Sequence, residues 1–216
     1  MSFGNVLIFG DSYSTYRGCI PEGFAHYYGR EDTEICGVKN ADMTWWQMLL
    51  KETESTLLLN NSWSGSTVCY TGYNGDCSNT NSFIFRLECM INDGFDKKNK
   101  VDTVFVFGGT NDNWANAPIG EVTDKEVKRE DRFQVLPGFC HFAKLLKDAF
   151  PCARIVYIVN TELKPEVSNG INEVCRVYGA ECVNLENIDK INGHPTALGM
   201  IQIKDQVKTA LMRSVI

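Results

Sequence analysis

The sequence predicts an α/β fold, a parallel sheet with helices on both faces. Three observations predict it. Short apolar runs without polar alternation recur along the chain, as strands covered on both faces require. Segments with apolar residues at helical spacing separate those runs, and this βαβα order makes a parallel sheet. Two of the runs lead directly into glycine-containing turns, Gly10-Asp11-Ser12 and Gly108-Gly109-Thr110-Asn111-Asp112.

Each element is justified in turn. Asn5–Phe9 is the first apolar run, followed by the weaker Thr56–Leu59. Val101–Phe107 and Arg154–Val159 are rich in β-branched and aromatic residues, which favour strands. Glu181–Leu185 gives a fifth, weaker strand. Between them lie five helical patterns: Asp42–Lys51, Ser82–Ile91, Phe133–Phe150, Val167–Tyr178 and Ala197–Val215. Pro151 stops the third, and Thr196 stands where an N-cap starts the last. Right-handed crossovers then place Ser12 and Asn111 on one edge of the sheet, beyond the strand carboxyl ends where such sheets bind ligands. Three stretches fit no regular element. Arg17–Asn40 and Thr67–Asn81 are long loops crowded with tyrosines, and Asp112–Asp131 is polar and acidic. Long loops in compact domains are often functional. The tyrosines either line a sugar or acyl cleft or simply pack the loops.

The composition is that of an ordinary soluble domain. The chain has 216 residues, 44% hydrophobic and 22% charged, and reads as one domain over residues 1–216. Its formal charge of −6 argues against a protein that tracks phosphates along a nucleic acid. No basic leader with a cleavage site opens the chain, and no apolar stretch approaches the ~18 residues that span a bilayer. The expectation is a cytoplasmic protein without membrane or nucleic-acid partners. Its oligomeric state is not written in the pattern. Nine cysteines, an odd number without a CxxC pair, read as reduced thiols, several packed as small hydrophobes. A disulfide among the loop cysteines Cys19, Cys36, Cys69 and Cys77 is the lesser alternative. No HExxH motif or clustered His/Asp/Glu set is present, so neither a metal nor another cofactor is expected.

The chemistry-bearing residues are spread across the chain. A serine nucleophile needs a base and donors for a tetrahedral oxyanion. Ser12 sits in a sharp Gly-Asp turn after the first strand. Gly65, in Ser62-Trp63-Ser64-Gly65, offers a backbone N–H that a ligand can approach closely. Asn111 follows the best strand and offers a side-chain amide. Of three histidines, only His194 lies in a Gly-His-Pro-Thr turn that leads into a terminal helix. Each residue alone has an ordinary structural explanation: a helix-capping serine, a loop glycine, an Asx turn, a structural histidine. Their order and placement make the case together.

These four blocks resemble the SGNH-hydrolase family, also called the GDSL esterase/lipase family. Gly10-Asp11-Ser12 matches the first block and Ser62-Trp63-Ser64-Gly65 the second. Gly109-Thr110-Asn111-Asp112 matches the third and His194-Pro195 the last. The resemblance implies a flavodoxin-like three-layer αβα sandwich. It also implies Ser12 as nucleophile, His194 as base, and an oxyanion hole of Ser12 N–H, Gly65 N–H and the Asn111 amide. One position departs from the pattern. The family usually places an aspartate three residues before the histidine, and this chain has Ile191 there. Asp189 takes that role only if the loop is bulged or differently wound. A backbone carbonyl or another polar group is the alternative, and weakened or absent catalysis is the third.

The function expected is a serine esterase that cleaves small acyl esters, acetyl among them, of a carbohydrate or related metabolite. A thioesterase, lysophospholipase or acyltransferase would use the same groups. A non-catalytic binding relative is a further reading, motivated by Ile191. A flavin or nucleotide binder fits poorly, because the hydroxyl-rich loop after the first strand lacks a Walker lysine and a GxGxxG pattern.

Overall fold

A computed structural model describes residues 2–213. Five parallel strands form one sheet: β1 (Asn5–Gly10), β2 (Thr56–Ser62), β3 (Thr103–Phe107), β4 (Arg154–Val159) and β5 (Glu181–Asn184). Their spatial order is β2-β1-β3-β4-β5. The predicted αβα sandwich is therefore the fold. The order reverses at β1, which lies between β2 and β3. This is the switch point beside which open α/β sheets bind ligands.

Alternation along each strand builds two cores. Leu7, Phe9, Val104, Val106, Ile155 and Tyr157 face one layer, formed by α2 (Phe83–Asn92), α5 (Val135–Ala149) and α6 (Pro165–Tyr178). Val6, Ile8, Phe105, Phe107, Val156 and Ile158 face the other, formed by α1 (Trp45–Glu52) and α7 (Ala197–Arg213). The short helices α3 (Phe95–Lys98) and α4 (Thr110–Trp114) complete the set.

The boundaries differ from the expected ones in informative ways. β2 runs on through Asn60, Asn61 and Ser62, which are polar yet buried. Their side chains are satisfied locally: Asn60 Nδ2 donates to Ser14 O at 2.8 Å, and Ser62 Oγ donates to Asn60 Oδ1 at 2.5 Å. α1 starts at Trp45 rather than Asp42, because Thr44 Oγ1 accepts from the Gln47 N–H and caps it there. α4 interrupts the stretch expected to be irregular. Thr196 Oγ1 accepts from Gly199 N–H at 3.2 Å and caps α7. The expected last helix includes Ser214 and Val215, which lie outside the described residues. All nine cysteines are free thiols, and Cys36, Cys69, Cys77, Cys140 and Cys175 are buried.

The register matters most for function. Gly10 pairs with Ser62 on one side and with Phe107 on the other. β2, β1 and β3 therefore end level, and their following turns emerge on one rim.

Candidate active site

The β1 turn places Ser12 at this rim. Asp11 folds its carboxylate back so that Oδ1 accepts the Tyr13 N–H at 3.1 Å. This capping contact winds Ser12–Ser14 into a single 3-10 turn. The other chain end arrives through a hairpin, in which Lys190 and Ile191 pair with Pro195 and His194. Asn192 and Gly193 form its two-residue turn with φ of 50° and 75°. Two positive φ values are what a type I′ turn requires, and Asn-Gly is its preferred sequence. The result brings residues 182 positions apart together: His194 Nε2 lies 3.1 Å from Ser12 Oγ.

The other imidazole nitrogen faces main chain. His194 Nδ1 lies 3.1 Å from Asn192 O. A carbonyl only accepts, so Nδ1 carries the proton and Nε2 presents its lone pair to the Ser12 hydroxyl. Asp189 is elsewhere. The tight hairpin sets it opposite Thr196, whose N–H donates to Asp189 O at 3.0 Å. Its carboxylate accepts from Thr196 Oγ1, and its own N–H donates to Gln202 Oε1 at 2.7 Å. Asp189 thus anchors the start of α7, while the Asn192 carbonyl meets the imidazole. Burial holds the His194 pKa below the usual histidine value. The Asn192 carbonyl opposes this shift, and the Lys190 ammonium adds to it.

The donors expected for an oxyanion come to the same rim. Among the described residues neither Ser12 N–H nor Gly65 N–H has an intramolecular acceptor. Gly65 has φ of 81°, and a Cβ added there would meet nothing within 4 Å. Its backbone is therefore open to a ligand. Asn111 Nδ2 donates to Ser66 O at 3.0 Å, which ties the amide to the Gly65 loop and leaves its second hydrogen free. Tyr73 Oη donates to Asn111 Oδ1 at 2.9 Å and fixes which way the amide points.

Three buried ionisable side chains brace the rim. Asp112 accepts the N–H groups of Val68 and Cys69 at 2.9–3.1 Å, which joins the turn after β3 to the loop after β2. Burial raises its pKa. Burial also pushes the Asp11 carboxyl up to about 7, against the pull of its Tyr13 N–H bond and of Arg86. Arg86 lies inside α2, with its guanidinium on Asn81 O, Asn61 O, Asn61 Oδ1, Gly10 O and Ser66 Oγ. It also stacks 4.5 Å from the Phe83 ring centroid. Sequence reasoning missed Arg86. A lone arginine within the apolar segment Phe83-Ile84-Phe85-Arg86-Leu87 was the available signal.

The four blocks point to one family, and the GDSL-like lipase/acylhydrolase family model matches residues 4–211. The chain belongs to this family. It is thus a hydrolase of the esterase/lipase type. Two solved structures are close in sequence as well as fold. A GDSL-like lipase from Bacteroides uniformis is 39% identical with a TM-score of 0.86, over 97% of this chain and 96% of that one. A GDSL-like lipase from Bacteroides ovatus is 34% identical with a TM-score of 0.87, over 99% of this chain and 100% of that one. An acetyl xylan esterase from Butyrivibrio proteoclasticus shares the fold at 17% identity and a TM-score of 0.64, over 100% of this chain and 64% of that one. No curated protein matches the chain. Among the described residues no helix is long and apolar enough to cross a membrane, and no cluster of three or more His, Cys, Asp or Glu side chains is arranged to hold a metal.

Proposed function

We propose that this protein is a serine esterase that removes small acyl groups, acetyl foremost, from a carbohydrate or related metabolite. The observation that carries the reading is the 3.1 Å approach of His194 Nε2 to Ser12 Oγ, with Nδ1 held by a carbonyl acceptor. Ser12 Oγ attacks the ester carbonyl carbon while its proton passes to His194 Nε2. The developing oxyanion takes hydrogen bonds from Ser12 N–H, Gly65 N–H and the free Asn111 amide hydrogen. The imidazolium returns the proton to the leaving alkoxide, and the acyl group stays on Ser12. Water, deprotonated by His194, then releases the carboxylate and restores the serine. An imidazole whose pKa is held low remains neutral, and so able to act as base, into mildly acidic solution.

The substrate class rests on the rim. Tyr73 and Trp114 are large aromatics left 52% and 39% exposed. Tyr73 touches the Asn111 amide, and the Trp114 ring lies 6.1 Å from that of His194. Exposed amphipathic rings flanking both a donor and the base suit the flat faces of a sugar. Acetyl xylan hydrolysis by a protein of the same fold accords with this choice.

The test is p-nitrophenyl acetate turnover, with a chain-length series of esters, for the wild type and Ser12→Ala. Turnover that falls with acyl length and vanishes in Ser12→Ala is expected. Equal rates in the two proteins refute the reading.

A further inference from the structure

The in-plane contacts at Nδ1 and Nε2 do not by themselves fix the tilt of the imidazole ring. We propose that Tyr13, Tyr27 and Tyr28 are positioning residues that hold the His194 ring in line with Ser12, taking over the orienting task of the carboxylate that Ile191 replaces. The proposal rests on the esterase reading of the site.

The three contacts bracket the histidine. Tyr27 lies flat on its ring, with centroids 3.6 Å apart and planes 5° from parallel. Tyr13 Oη donates to the carbonyl of Gly193, the residue before. Tyr28 Oη donates at 2.7 Å to the carbonyl of Pro195, the residue after. The ring plane is thus fixed by the stack and the main chain by a hydroxyl on either side. Tyr13 and Tyr28 are fully buried, so their hydroxyls find no water as a substitute partner.

All three tyrosines are also tied to the nucleophile's own turn. Tyr13 follows Ser12 directly. Tyr27 N–H donates to Thr15 Oγ1 at 2.8 Å, and Thr15 Oγ1 donates to Ser12 O at 3.0 Å. Tyr28 packs edge-on against Tyr27 at 5.0 Å. Base and nucleophile are therefore referenced to one short frame, and a shift in one carries the other with it. A carboxylate would supply orientation and charge together. The tyrosines supply orientation without charge.

The experiment reads the imidazole directly and its consequence for turnover separately. Long-range nitrogen-15 NMR reports which His194 nitrogen is protonated, with or without substrate. The wild type and Tyr27→Phe, which keeps the stack, are expected to show one tautomer with the proton on Nδ1. Tyr27→Leu is expected to mix the two tautomers and lower kcat on the order of tenfold, with KM within about twofold. Tyr28→Phe, which deletes one oxygen, is expected to move both readouts the same way and serves as well if Tyr27→Leu does not fold. A single tautomer and wild-type kcat in these variants overturn the proposal, as does a loss confined to KM. A wild type that hydrolyses no ester and takes no fluorophosphonate label, while Tyr27→Leu still mixes tautomers, refutes the esterase reading and leaves the tyrosine bracket standing.

Discussion

Replacing Arg86 with methionine tests the bracing of the rim most sharply. Arg86 is 3% exposed, and its guanidinium serves five acceptors, drawn from β1, β2, the loop before α2 and the loop that carries Gly65. Burial lowers its pKa to about 9 from 12.5. A hydrogen bond from a charged donor contributes about 2 kcal/mol net, so losing several of these contacts at once is costly. Methionine fills similar space but donates nothing. Gly10 O keeps the Trp63 N–H at 3.1 Å, but Asn61 Oδ1 and Asn81 O lose a donor they share with no other side chain. Arg86→Met should therefore cost about 3–5 kcal/mol, the range for breaking a buried charged network. Urea denaturation followed by circular dichroism measures it. Arg86→Lys, with a charge but no planar fork, should recover only part of the loss. A methionine variant within 1 kcal/mol of wild type would refute the reasoning, because the five contacts would then offset nothing beyond their own desolvation.

Two further outcomes follow from the site. The acidic limb of kcat/KM should reflect a His194 pKa below 6.5, with activity rising as pH climbs through that pKa and the base form appears. Lys190→Met removes the cation that helps lower it, so the limb should move to higher pH in a pH–rate profile; an unmoved limb would exclude that cause. Asn111→Ala removes the proposed side-chain oxyanion donor and should lower kcat about 10²–10³-fold in steady-state assays, with KM changed far less.

Much of the fold and the outline of the site were legible before any coordinates. Asn5–Phe9 reads as a doubly covered strand because its apolar run has no polar alternation, and Val101–Phe107 reads as a strand from its β-branched and aromatic residues. Register then carried Ser12, Gly65 and Asn111 to one rim. α4 was not legible. Thr110-Asn111-Asp112-Asn113-Trp114 has poor helix propensity and only five residues, too few to nucleate alone. It forms because Gly109 enters with φ of 96° and because Asp112 is held by the Val68 and Cys69 amides. The imidazole's partner was ambiguous for a different reason. Sequence distance ranks Asp189 near His194, but the hairpin turns on Asn192-Gly193 and sends Asp189 to Thr196. The loop tyrosines divided in a way that composition could not foresee. Tyr70 is core, Tyr16 Oη donates to Lys39 O at 2.8 Å, and Tyr27 and Tyr28 meet the histidine segment.

That the atom facing Nδ1 belongs to the main chain has a consequence for how the protein tolerates change. A carboxylate partner can be erased by one codon, whereas a peptide oxygen survives every replacement of its own side chain. Vulnerability passes instead to the bend that aims it. Substitutions at Asn192 or Gly193 that resist a left-handed backbone, or a one-residue insertion between them, would swing the oxygen away while leaving the four motif blocks untouched.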